Sequence, residues 1–203
     1  MNILVTLKPV HYRSYGHNYG ILAEINWKEK KVNRTLKIPS TAIDGGEEFF
    51  IPSVISGICN FKSRIFVATW NFIVEIDYET FEVVNAFSHP HMADLHGLAT
   101  DGQYLWVAST AIDSVLCFDV ANFDYKWRWG PDSPILWQDR MFSGRLKSYS
   151  KKFPALRKWF RIKFEDNDYR IIHKRISPYH YHHVNDVCCD KEILYITTKG
   201  WNK

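Results

Sequence analysis

Apolar and polar positions alternate along this chain in short bursts. RIFVATW (64–70), FIVEIDY (72–78) and EVVNAF (82–87) follow one another with few polar residues between them. Runs this short, rich in Val, Ile and aromatics, predict buried strands rather than helices. The joints FKSR (61–64) and TDGQY (100–104) supply the polar and Gly residues that a hairpin needs. No apolar run approaches the ~18 residues of a membrane span. The opening NILVTLK lacks the basic flank and long apolar stretch of a secretory leader.

The bursts repeat. ISGICNFKSRIFVATW (55–70) aligns with LHGLATDGQYLWVAST (95–110) at an offset of 40, which places Gly57 on Gly97, Ile58 on Leu98 and Val67 on Val107. VNDVCCDKEILYITTK (184–199) fits the same template, with Val187 on Leu98 and Leu194 on Leu105. NILVTLK followed by GILAEINWKEKKVNRTLKI (20–38) reads as an earlier unit. A period near 40 built from several short strands is the signature of propeller blades. The expected fold is therefore all-β, with three β-propeller-like blades plus the start of a fourth. Residues 1–203 form a single partial propeller domain, part of a longer protein or half of a ring that two chains close as a homodimer.

One segment departs from the repeat. Residues 127–180 are too long for a plain connection between blades and read as an insertion. Within it Phe142, Leu146, Tyr149, Phe153, Leu156 and Phe160 recur at helical spacing, broken at Pro154, so the insertion is expected to be partly helical. It is also basic: 12 Lys and Arg against 3 Asp and Glu between Arg140 and Arg175, in a chain with net charge +4. Residues 140–175 are thus a candidate surface for a protein partner or an anionic membrane. Basic residues with interspersed aromatics are too unspecific to argue for nucleic acid.

Histidines cluster at equivalent places in the repeat, in HPHMADLHG (89–97) and HYHHVND (180–186). The alignment puts His96 with Asn185 and Ser56, and Asp94 with His183. In a propeller these positions precede or open the innermost strand and face a shared axis, so clusters from neighbouring blades would converge. Asn185, His96 and Asp94 are the candidate metal ligands, His183 a candidate general base, and His91, His182 and Asp186 candidate ligand-binding residues. Imidazole with carboxylate suits Zn, Fe or Mn, whereas an Asn/Asp-dominated set suits Ca. The expected function is binding of a small polar ligand, with metal-dependent hydrolysis as its extension. The alternative is a non-catalytic scaffold that works through residues 140–175.

Asn185-Asp186-Val187-Cys188-Cys189-Asp190, continuing through Ile193-Leu194-Tyr195-Ile196-Thr197, resembles a blade opening of the gluconolactonase and senescence-marker-protein family. The resemblance implies a six-bladed, calcium-dependent propeller that hydrolyses lactones and related esters. It also implies that Asn185 reaches a divalent metal, which would polarise the ester carbonyl and help generate hydroxide. No GxSxG or comparable nucleophile motif occurs.

The four cysteines, Cys59, Cys117, Cys188 and Cys189, include an adjacent pair and no CxxC spacing. Adjacent cysteines rarely bridge, so free thiols and a cytoplasmic location are expected.

Overall fold

The computed structural model describes residues 1–7, 19–39, 55–130, 170 and 183–198. The helical reading of residues 142–160, and the rest of the basic segment apart from Arg170, lie outside the described residues.

The described strands form four antiparallel sheets in chain order. The first holds β1 (Asn2–Leu7), β2 (Tyr19–Asn26) and β3 (Lys31–Pro39). The second is a four-stranded meander of β4 (Ile58–Phe61), β5 (Arg64–Ala68), β6 (Ile73–Asp77) and β7 (Val83–Phe87). The third repeats it with β8 (Leu95–Thr100), β9 (Tyr104–Ser109), β10 (Ser114–Asp119) and β11 (Tyr125–Trp129). The fourth pairs β12 (Val184–Asp190) with β13 (Ile193–Thr198). The strands are those the repeat predicts, with one change of boundary. Residues 127–129, assigned to the insertion from sequence, complete β11 as the outer strand of the third sheet.

Alternation along each strand explains the stacking. In β5, Ile65 and Val67 face the first sheet and join Leu22, Ile38, Val74 and Ile76. Phe66 and Ala68, on the opposite face, join Leu98, Leu105, Val107, Leu116 and Phe118 of the third sheet. The far face of the third sheet supplies Ala99, Ala108 and Val115, which meet Val184 and Val187 of the fourth. A sheet buried on both faces must be apolar at successive positions, and this is why RIFVATW looks continuous in sequence. Blade-like sheets stacked face against face, each a short meander, make this an all-β, propeller-type protein.

The conserved position of Gly in the repeat has a packing cause. A Cβ on Gly57 would collide with backbone atoms of His96, Gly97 and Leu98. One on Gly97 would collide with Asp186 and the amide of Val187. The first strands of successive sheets therefore approach backbone to backbone, and only Gly allows it.

A second repeated device joins the outer edges. Asp77 accepts from the Thr80 amide (2.8 Å) and Asp119 from the Ala121 amide (2.9 Å), closing turns that leave Phe81 and Phe123 at φ +60 and +61. Each turn receives an arginine from the preceding sheet. Arg34, ion-paired to Glu24 at 2.7 Å, donates to the Glu79 carbonyl at 3.0 Å and lies over Phe81. Arg64, ion-paired to Glu75, donates to the Val120 carbonyl at 2.9 Å and lies over Phe123.

Candidate ligand site on the loop face

The strands begin and end on a face where three connections meet. The Leu95 amide donates to the Trp70 carbonyl at 3.0 Å, tying the β5–β6 loop to the start of β8. The Thr110 amide donates to the Asp94 carbonyl at 3.1 Å, and the His183 amide to Asp113 Oδ1 at 2.7 Å. Two hydroxyls, one half-buried and one buried, lock neighbouring sheets together there. Ser56 Oγ donates to the Leu95 carbonyl and Thr110 Oγ1 to the Val184 carbonyl, both at 2.5 Å.

The repeat alignment of Asp94 with His183 is visible in the backbone. Asp94 has φ +52 and His183 φ +49, so each inner strand is preceded by a left-handed residue. Asp tolerates that conformation better than most residues; His183 holds it with its amide bonded to Asp113. The left-handed step turns the next side chains toward the inner edge of the sheets.

There an open cleft of about 540 Å³ runs across the first strands of the second, third and fourth sheets. Ser56, His96 and Asn185 line it, and these are the three residues that the repeat alignment superposes. Asp186 and Thr197 add polar groups, and Gly57, Ile58 and Leu98 form the apolar part of the wall. His96 Nε2 lies 3.4 Å from Asp94 Oδ1. The His183 ring stands edge-on to His96, with centroids 5.8 Å apart. Asp186 Oδ1 accepts from the Val187 amide at 2.9 Å, which fixes the carboxylate over the strand.

The structure thus brings together Asp94, His96, His183, Asn185 and Asp186 of the sequence candidates. His91 is a correction. It is buried at 3% exposure and packs against the rings of His89 and Tyr125, away from the cleft. Met92 and Ala93, both fully buried, carry the chain through the core between His91 and Asp94, so proximity in sequence does not become proximity in space. His182 lies outside the described residues. Sequence reasoning passed over two contributors. Ser56 could have been chosen, since it aligns with His96 and Asn185. Asp113, which positions the His183 backbone, carried no signal, because its role depends on a contact 70 residues away in sequence.

Among the described residues the cleft does not gather the oxygen ligands of the calcium ion that the family resemblance implies. Calcium takes about six to eight oxygen ligands. Among the described residues no three His, Cys, Asp or Glu side chains group as a metal would require. Of the nearby carboxylates, Asp94 faces His96 and Asp186 already caps Val187.

The sheets and this cleft define the class: a propeller-type protein with a polar site across its inner strands. No protein-family model and no curated protein matches the chain. Solved structures similar to it include Sqt1 of Saccharomyces cerevisiae, at 20% identity and a TM-score of 0.43 over 59% of this chain and 32% of that one. Glutaminyl cyclase of Myxococcus xanthus is similar over 90% of this chain and 64% of its own, at 12% identity and a TM-score of 0.47. AztD of Citrobacter koseri, in its apo form, is similar over 57% of this chain and 32% of that one, at 11% identity and 0.41. The chain spans about a third of Sqt1 and just under two thirds of the cyclase. The fold assignment rests on the chain's own sheets and packing rather than on these likenesses.

Among the described residues no helix is long and apolar enough to cross a membrane.

Proposed function

We propose that this chain is a propeller-type binding module whose loop-face cleft takes a small polar ligand. One observation carries the reading: Ser56, His96 and Asn185, equivalent positions of three successive units, line a single cleft. A volume of about 540 Å³ suits a small molecule, and polar groups on an apolar wall supply orientation. Among the described residues the side chains of Asn185 and Thr197 have no hydrogen-bond partner that a ligand would have to displace.

The pair of Asp94 and His96 favours hydrolysis as a second reading. An imidazole with one nitrogen held toward a carboxylate is the arrangement a general base uses to take a proton from water. This favours His96 over His183 for that role, and the step requires no metal.

The test is nuclear magnetic resonance of the 203-residue chain titrated with a panel of small polar probes: a diamine, a cyclitol, a dicarboxylate and δ-gluconolactone. Saturable shifts shared by the Ser56, His96, Asn185 and Thr197 amides, lost in His96→Ala and Asn185→Ala, are the expected result. Shifts confined to other residues, or none, would sink the reading. Release of acid from the lactone, abolished by His96→Gln, would support the hydrolytic extension; lactone bound but unconverted would remove it.

A further inference from the structure

The electrostatics of the cleft narrow the class of ligand, an argument that rests on the binding reading above. Two carboxylates, Asp186 and Asp94, stand at the site, and among the described residues no lysine or arginine lines it. Its other ionisable groups among the described residues are two imidazoles, His96 and the adjoining His183. Among the described residues a carboxylate or phosphate ligand would meet charge of its own sign and no cation to receive it. That field disfavours sugar acids and phosphates as ligands.

The hydrogen-bonding inventory points the same way. Asp186 Oδ1 is engaged by the Val187 amide, which leaves Oδ2 as a charged acceptor. Asn185 and Thr197 line the same cleft, one on each strand of the fourth sheet, and their side-chain oxygens can serve as further acceptors. A primary ammonium group carries three donors and no acceptor. We infer that the cleft recognises a primary ammonium group, with Asp186 as its counter-charge and Asn185 and Thr197 as its neutral partners. Such a group comes from a free aliphatic amine or from a lysine presented by a peptide.

The experiment uses the full chain at about pH 8, where a primary aliphatic amine is still protonated, with four probes: 1,4-diaminobutane, acetyl-Gly-Lys-Gly-amide, myo-inositol and succinate. Binding of either ammonium probe about tenfold more tightly than inositol is expected, the size of one charge-assisted hydrogen bond. The tighter of the two identifies the source. Asp186→Asn preserves the acceptor for the Val187 amide and should weaken ammonium binding about tenfold, more than it weakens inositol binding. Raising salt from about 20 to about 200 mM should weaken it as well. Preference for inositol or succinate, or an Asp186→Asn variant that binds the amine normally, would overturn the ammonium assignment and leave the cleft as the binding site. Silence of the cleft amides toward all four probes would overturn the binding reading too.

Discussion

Gly57→Ala adds one methyl group at a position where, by backbone conformation alone, alanine should be welcome. Gly57 is not in the left-handed region, and replacing such a glycine normally stabilises a protein by about 0.4–1 kcal/mol, through the unfolded chain. The surroundings reverse the sign. The new Cβ would meet the His96 carbonyl oxygen, the Leu98 nitrogen and the Gly97 carbonyl carbon, each at 3.0 Å or closer. All three are backbone atoms, so no side chain can swing aside, and β8 must move as a unit against β9. Overpacking of a core costs about 1–3 kcal/mol, and a clash against paired backbone belongs in the upper half of that range. The net expectation is a loss of about 2 kcal/mol. In a chain of this size that lowers the melting temperature by about 4–8 °C. Gly97→Ala should lose less, because the sheet it meets has two strands among the described residues and can shift more easily than β8, which is paired within a four-stranded sheet. Denaturant melts of the two variants beside wild type measure both. A Gly57→Ala protein as stable as wild type, or a larger loss at Gly97, would refute the close approach of the inner strands.

Three further outcomes follow from the packing and the ion pairs. Arg64→Met leaves Glu75 with an 11% exposed side chain and no counter-charge; discounted for the 26% exposure of Arg64, the loss should be about 2 kcal/mol, and a double-mutant cycle with Glu75→Gln should recover part of it. Burial alone would push the Glu24 carboxyl up, but the Arg34, Tyr78 and Asn2 contacts outweigh it and hold the group below its ordinary 4.5. Its stabilisation is therefore complete above that value and is lost as pH falls through the depressed one, so Glu24→Gln should flatten the acid limb of a stability–pH curve; an unchanged limb would contradict the pairing. Burial pushes the Cys59 thiol up to about 12, with help from nearby Cys189, and Cys117 up to about 11, whereas Cys188 is exposed. Mass spectrometry after brief iodoacetamide treatment at about pH 8 should find Cys188 labelled first and Cys59 and Cys117 protected until the protein unfolds.

The strands were legible because each apolar residue reports a local condition. Ile65 and Phe66 point to opposite sheets, both buried, and any run meeting that condition reads as a strand wherever it stands. The convergence of Ser56, His96 and Asn185 was legible for a related reason, since equivalent positions in stacked repeats must superpose. What failed depended on particular turns of the chain. The left-handed step at Asp94 sends His91 and His96 to different environments, although only five positions separate them. YKWRW alternates aromatic and basic residues as a half-exposed strand does, but it stands next to the long basic segment, and a bulge between Cys117 and Phe118 resets its register against β10. The arginine bridges from Arg34 and Arg64 were invisible because their acceptors are carbonyl groups, which every residue has.

The face-to-face stacking has a consequence for how damage spreads. Among the described residues each sheet shares its apolar surfaces with its immediate neighbours alone, so free energy is coupled along the stack like links in a row, not through one common centre. A lesion in β9 should therefore loosen the sheets on either side of it while β1 and β2 keep their protection. Amide exchange should fall into a gradient, slowest in β5, β6, β9 and β10, which are walled on both faces, and fastest in β13, where Ile193 and Tyr195 are about half exposed. The polar cleft crosses the steep part of that gradient, from the rigid β8 to the looser β12. Its two walls differ in stiffness, and a ligand held between them would tie the softer sheet to the harder one.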